Sequence, residues 1–282
     1  MDGYSARRTL SVRLELIRQL TRRRTAVALA LVLALPIVVV LAVKFGPSAG
    51  GGGGGLADGD LDVFGLMATG PWNFALSGLL FTSAFLLVLL AAMFLGDTVA
   101  SEASWSTLRY LLVAPVPRRR VLAVKLIVGL ISTLAILLVL VLASFLLGWI
   151  AFGGEGLATP LGGELGAGES TTRLAIVTGY IAITLLVPAG VAFLASVSTD
   201  VPLGAVGAGV LVVVVANILD IIDALGPLRQ LLPTNYASAW SDALGPTIVW
   251  GDMAVGLAYN VGVFAVLVGI AFLRFERKDI LS

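Results

Sequence analysis

Closely spaced acidic side chains are the first candidates for chemistry in this 282-residue chain. Asp58, Asp60 and Asp62 have the alternate spacing with which a calcium-binding loop of the EF-hand type begins. The pattern then fails, because the glycine and the twelfth-position glutamate of such a loop are missing. We therefore interpret this segment as a solvated acidic loop in preference to a metal site.

A second acidic group, Asp200, Asp220 and Asp223, could supply the catalytic carboxylates of a membrane-embedded enzyme. Each of these residues lies at the end of an apolar run, however, which is the ordinary place for a charge. The chain has no histidine and no cysteine, which excludes Ser-His and Cys-His relays, His-ligated metals and disulfides. An enzyme is therefore a less favoured alternative.

The composition points away from a water-soluble domain. The chain is 59% hydrophobic and 12% charged, with a mean hydropathy of +1.04, whereas soluble domains carry about 25% charged residues. With so few charges it cannot cover a water-facing surface. The phosphate-binding pattern GxxxxGK[ST] is also absent, so the chain has no recognisable ATPase site of its own. Nothing in it indicates a nucleic-acid partner.

Six apolar segments are long enough to span a membrane, since a helix needs about 20 such residues to cross the hydrocarbon core. They are, by residue number, 26–45, 73–95, 122–150, 174–197, 201–222 and 253–273. We predict an all-α integral membrane protein with two parts: a cytoplasmic amphipathic helix (1–25) and a single six-span domain (26–282).

The positions of the basic residues predict the orientation. With six spans, all but three of the 18 basic residues lie on one side, and the exceptions are Lys44, Arg173 and Arg229. Basic flanks resist translocation. Both termini should therefore be cytoplasmic, in a multi-pass protein of the cell membrane.

Two further segments should form short helices at the membrane surfaces. Leu10, Leu14 and Ile17 recur at helical spacing among the amino-terminal arginines, which is typical of a helix lying on anionic lipid. The loop 224–251, broken by Pro233, is rich in Leu, Tyr and Trp. That loop could be a surface anchor or a re-entrant lid over a pathway, and the residues favour neither.

The loop between spans two and three is the most informative segment. Leu108, Leu111 and Leu112 give an apolar stripe, and Pro115 and Pro117 end that helix. Arg118, Arg119 and Arg120 follow at once. A short amphipathic helix should therefore protrude into the cytoplasm between two spans.

The order Glu102, Thr107-Leu108, Leu111-Leu112, Pro115-Val116, Arg118 and Lys125 resembles the permease subunits of type-2 ATP-binding-cassette transporters. Leu-Pro-Thr-Asn-Tyr at 232–236 and the basic carboxyl end at 275–280 are similar to later signatures of that family. Ser106 departs from the pattern, since the family often has glycine there.

The resemblance implies six spans, a cytoplasmic coupling helix, and short re-entrant helices between spans five and six. It also implies which residues couple to the ATPase and which line the translocation path. Residues that match the coupling element, which seats in a separate ATPase subunit, are Glu102, Thr107, Leu108, Arg109, Pro115 and Arg118. Residues of spans two and five that would line a translocation path are Phe81, Phe85 and Asn217. The implied partners are two copies of the cytoplasmic ATPase, which bind ATP and Mg²⁺, a second permease copy (identical or homologous), and membrane lipid. The chain itself would hold no cofactor.

The expected function is that of an exporter for a hydrophobic or amphiphilic substrate such as a drug or lipid. The alternative is an ATP-independent secondary transporter or channel. Ion-coupled transport needs ionisable groups inside the bilayer, and the central turns of the six segments contain none. That absence favours energy supplied by a partner.

Overall fold

A computed structural model describes residues 11–45, 67–104, 117–154, 156–158, 164–245 and 247–277. Its helices are α1 (Val12–Leu20), α2 (Arg23–Phe45), α3 (Pro71–Ser83), α4 (Leu86–Ser104), α5 (Arg118–Phe152), α6 (Ala167–Thr184), α7 (Leu186–Ser198), α8 (Pro202–Asp220) and α9 (Gly251–Arg277). Two 3-10 helices, Asp223–Leu231 and Ala239–Ala243, lie between α8 and α9. One antiparallel pair joins β1 (Leu157–Ala158) to β2 (Glu164–Leu165).

The described residues contain six helical segments long and apolar enough to cross a membrane, which confirms the prediction of an all-α, multi-pass membrane protein. They are α2, α4, α5, α6 with α7, α8 and α9. α5 has 35 residues and is about 52 Å long at 1.5 Å per residue. It therefore extends beyond a hydrocarbon core about 30 Å thick.

The second span differs from its predicted bounds of 73–95. The helix is interrupted at Ala84 and Phe85, and the span-length helix is α4, which continues to Ser104. The hydroxyls of Thr82 and Ser83 donate to carbonyl oxygens of the preceding turn. Such bonds compete with the backbone ladder, and the apolar pattern alone does not reveal them.

The fourth span is also interrupted, at Leu185 between α6 and α7. Pro188 has no N–H to donate to the carbonyl of Thr184 one turn earlier. The Thr184 hydroxyl, in turn, donates to the Ile181 carbonyl oxygen at 2.9 Å. The predicted span 174–197 thus consists of two helices in sequence.

Packing follows these interruptions. α3 packs against α5 and α6, whereas α4 packs against α5, α7 and α8. Gly209 allows α8 to lie close to both of its neighbours. A Cβ atom there would lie 2.7 Å from the Pro188 carbonyl oxygen and 2.9 Å from the Ala92 Cβ.

α1 packs against α5 through a mixed face. Gln19 is buried and Val12, Glu15 and Leu16 are half-buried, while Leu14 and Ile17 are exposed. Two residues of the apolar stripe predicted from the sequence thus lie on the outward face of this helix, and the third, Leu10, lies outside the described residues. That arrangement is typical of a helix whose apolar side meets lipid.

Candidate functional site

A buried ion pair joins the end of α4 to the start of α5. Lys125 Nζ lies 2.6 Å from Glu102 Oε1, and the two side chains are only 4% and 3% exposed. Lys125 also donates to the Thr98 carbonyl oxygen at 3.0 Å. Buried charges are stable only when paired and hydrogen-bonded, so this pair fixes the two helix ends against each other.

α1 adds further charges to the same cluster. Arg18 lies 3.5 Å from Glu102 Oε1, and Glu15 lies 3.9 Å from Lys125 Nζ. The pair between α4 and α5 therefore has a partner of each sign on α1. We call Glu15, Arg18, Arg22, Arg24, Asp97, Glu102 and Lys125 the basic-end network.

Asp97 of α4 is the second centre of the basic-end network. Arg22 contacts its carboxylate at 3.2 Å, and Arg24 is also in contact with it. Arg24 donates to the Gln19 side-chain oxygen at 3.1 Å. Burial lowers the pKa of the Arg22 guanidinium from its ordinary value, and the nearby charge of Arg18 lowers it further. The bend between α1 and α2 is thus held against α4.

The same end of the bundle includes the end of α9 and the end of α7. Arg118 donates to the Glu276 carbonyl oxygen at 3.2 Å, and Arg119 binds the Glu276 carboxylate with two nitrogens. Arg274 donates to the Ser198 hydroxyl at 3.2 Å. We call this end of the bundle the basic end. It contains α1, the end of α4, the start of α5 and the ends of α7 and α9.

The opposite end is held by a different kind of contact. Arg173 of α6 is 2% exposed and donates to the carbonyl oxygens of Ala243, at 2.7 Å, and Gly245. Its guanidinium also binds Glu169 one turn earlier, at 2.6 Å. The segment that contains the second 3-10 helix is thereby fixed to α6.

Two tyrosines fix the rest of that segment. Tyr180 of α6 donates to the Tyr236 carbonyl oxygen at 2.6 Å, and Tyr259 of α9 donates to that of Leu231. Leu228 and Leu231 are exposed. The short helices expected between spans five and six are therefore present as 3-10 helices. Their role as surface anchor or lid stays a prediction.

Asn73 forms hydrogen bonds to the short β pair at the opposite end. Its amide donates to the Ala158 carbonyl oxygen and accepts from the Ala158 N–H, both at 2.9 Å. The two bonds together satisfy both backbone groups of Ala158, its N–H and its carbonyl oxygen. A polar residue that the sequence places within a span thus serves to hold a loop.

The predicted coupling residues are only partly within the described chain. Glu102 lies in the basic-end network, and Arg118 contacts the end of α9. Thr107, Leu108, Arg109 and Pro115 lie outside the described residues, as do Asp58, Asp60 and Asp62. The coupling role of the six residues stays a prediction.

The predicted path residues lie on exposed faces. Phe81 is 48% exposed and lines a small cleft with Leu35, Pro36 and Val39 of α2. Phe85 lies at the interruption of the second span. Asn217 is exposed on α8, where its amide donates to the Val213 carbonyl oxygen. Within one copy, Phe81 therefore faces α2.

Two of the three aspartates considered for catalysis have ordinary ionic partners. Asp220 and Asp223 bind Arg229 at 3.3 and 3.0 Å, as expected for residues at a span end. Among the described residues, no group of three or more acidic side chains is placed to hold a metal. Residues 46–50 read Gly-Pro-Ser-Ala-Gly, which has the letters of the serine-hydrolase pattern GxSxG. They lie outside the described chain, and no histidine exists to activate that serine.

Comparison with known proteins places most of this helix bundle in one family. Residues 61–281 match a family described as a protein of unknown function, DUF2705. The chain belongs to the DUF2705 family. The match includes Asp97, Glu102 and Lys125 of this DUF2705 protein, whereas their arginine partners, on α1, on α2 and in the bend between them, precede it. No curated protein matches the chain.

Proposed function

We propose that the chain is the transmembrane permease subunit of a type-2 ATP-binding-cassette transporter. In this proposal two permease copies work with two cytoplasmic ATPase subunits that bind ATP and Mg²⁺. The Glu102–Lys125 pair is the observation that carries the proposal. Residues 105–116 connect α4 to α5, and the pair joins Glu102, in the last turn of α4, to Lys125, two turns into α5, so the two helices are anchored to each other near this connection.

An anchored point of this kind suits the transmission of a displacement. A push on residues 105–116 would reach α4 and α5 together, because their ends cannot separate without exposing a buried charge. It would also reach α1 through Arg18 and Glu15. From α4 the displacement would continue to α7 and α8, which pack against it.

The free face of α8 supports a second permease copy. Leu203, Leu211 and Ile218 are 81%, 60% and 58% exposed, and they share one helical face with Gly204 and Gly207. A Cβ atom at Gly207 would meet nothing within 4 Å. Small residues on an apolar face allow another helix to approach closely in a membrane.

Purification from the native host in mild detergent, with mass spectrometry of the bound proteins, tests the proposal. We expect a P-loop ATPase in stoichiometric amount and an ATPase activity that the complex couples to transport. Arg109→Ala should weaken the complex about tenfold, as expected for the loss of one strong interface contact. Glu276→Gln is the matched control at the same end, and it should leave the complex intact.

A different result would refute the proposal. Recovery of the chain alone, with full transport activity in ATP-free vesicles under an ion gradient, would identify a secondary transporter. Equal weakening by Arg109→Ala and Glu276→Gln would show that residues 105–116 are not the contact region. Substrate class and direction of transport can then be measured on the complex.

A further inference from the structure

A cavity of about 450 Å³ opens at the basic end between α7 and α9. Its lining residues come from the last turn of α7 and the last two turns of α9: Val197, Ser198, Ile270, Leu273, Arg274 and Arg277. This volume is larger than a single phosphate ion fills.

The α9 side of this cavity changes from apolar to basic along its length. Ile270, Leu273, Arg274 and Arg277 follow the spacing i, i+3, i+4, i+7, which places all four on one helical face. Ile270 and Leu273 are 41% and 57% exposed. An apolar flank therefore leads along the helix to two arginines at its end.

Close packing limits the cavity on the side away from the arginines. A Cβ atom at Gly190 of α7 would lie 3.0 Å from Phe264 and 3.1 Å from Leu267 of α9. The two helices are therefore in contact at that level. The cavity lies further towards the basic end, where Arg274 and Arg277 line it.

The described lining of the cavity is positively charged. Arg274 uses one nitrogen on the Ser198 hydroxyl, at 3.2 Å, and within the described part of the chain the lining residues include no carboxylate. Glu276, the carboxylate between the two arginines in sequence, is bound by Arg119. Planar guanidinium groups bind phosphate oxygens by paired hydrogen bonds.

We propose that this cavity binds one molecule of an anionic phospholipid. The headgroup phosphate lies between Arg274 and Arg277, and an acyl chain follows Leu273 and Ile270 towards the hydrocarbon core. Basic pockets between membrane helices are suited to such headgroups, and the apolar flank distinguishes a lipid from a free phosphate. The site is independent of the proposed ATPase coupling, so either proposal can fail alone.

A lipid titration of the purified full chain in nonionic detergent, followed by native mass spectrometry, tests this site. The probes are phosphatidylglycerol and phosphatidylcholine with the same acyl chains. We expect the wild-type chain to bind phosphatidylglycerol more tightly than phosphatidylcholine. The double variant Arg274→Gln with Arg277→Gln should reduce the affinity for phosphatidylglycerol about 25-fold, because each arginine contributes about fivefold. The control variant Arg13→Gln with Arg23→Gln removes two exposed charges from the same end and should change the affinity less than about twofold.

Three results would overturn the site. One is equal affinity of the wild-type chain for the two lipids, which needs no variant and so does not depend on whether the variants fold. Another is an equal loss in both double variants, which would show general surface attraction. The third is full displacement of phosphatidylglycerol by inorganic phosphate at the same concentration, which would identify a free anion as the ligand. Ser198→Trp, which fills the cavity and keeps both arginines, should also reduce binding.

Discussion

In the described part of the chain, each end of the helix bundle has one buried basic side chain, but the partners of that side chain differ. Lys125 at the basic end faces the carboxylates of Glu102 on α4 and Glu15 on α1. Arg173 at the opposite end faces backbone carbonyl oxygens and a glutamate of its own helix. The first cation therefore joins three helices through charge, whereas the second fixes one loop through the backbone.

The difference has consequences for what each end can do. A carboxylate can exchange one cation for another, and Arg18 already lies 3.5 Å from the Glu102 oxygen that Lys125 binds. A backbone carbonyl is a fixed dipole without a competing partner of that kind. The basic end is therefore suited to rearrangement under an external force, and the opposite end to holding the loop in one place.

Removal of Lys125 should destabilise the protein more than a substitution at Arg173 or Gly209. Lys125→Met leaves the Glu102 carboxylate buried without its closest cation, and we expect a loss of about 3–5 kcal/mol in the free energy of unfolding. Unfolding by dodecyl sulfate in mixed micelles, followed by circular dichroism, measures this loss.

Glu102, the partner of Lys125, provides the control for that experiment. Lys125→Met combined with Glu102→Leu removes both charges, and it should recover most of the stability, because an apolar pair of similar size is tolerated. A double variant as unstable as the single one would mean that packing, not charge pairing, holds these helix ends. The basic end would then not be held by charge pairing.

Removal of Arg173 should have a smaller effect that is confined to one loop. Arg173→Met leaves the carbonyl oxygens of Ala243 and Gly245 without their donor, at a cost of about 1–3 kcal/mol. Arg173→Lys should recover only part of this, since an ammonium group lacks the fork of the guanidinium. The neighbouring Thr172→Ala is the control and should change little. Faster proteolysis within residues 223–245, and nowhere else, is the expected signature; global unfolding would contradict it.

Two glycines of α8 measure the packing of α8 against α4 and α7 without changing any charge. Gly209→Ala inserts a methyl group among α4, α7 and α8, with the Pro188 oxygen 2.7 Å away, and it should cost about 1–3 kcal/mol. Gly207→Ala on the free face of the same helix is the matched control, since nothing lies within 4 Å. Equal stability of the two variants in mixed micelles would show that the helices separate readily at this level.

Some of these contacts could be predicted from the sequence, and others could not. Apolar runs found all six spans, and Pro233 and its neighbours indicated the short helices between spans five and six. The interruptions at Ala84 and Leu185 were missed, because hydroxyl bonds such as that of Thr82 are local competitions that hydropathy does not register. Pro188 was an available signal for the second of them.

The candidate site shows the same division. The sequence singled out Glu102 and Lys125 through a resemblance, and it placed Arg173 among the few basic residues on the opposite side. It did not indicate that Asp97 binds Arg22 and Arg24, since 73 or more residues separate these partners. The exposure of Leu14 and Ile17 agrees with the lipid-facing stripe expected for α1, whereas the burial of Gln19 on the opposite side of that helix was not indicated by the sequence.

Local composition was enough to establish that the chain is a membrane protein and how many of its helices are long enough to cross the bilayer. These properties follow from short stretches of sequence, because each backbone N–H and C=O group in lipid must form its hydrogen bond within its own helix. Which charges neutralise one another, and which helix faces stay free, emerged only from the folded arrangement. Those outcomes depend on distances between residues far apart in the chain, and a buried charge is stable only where packing brings its partner within reach.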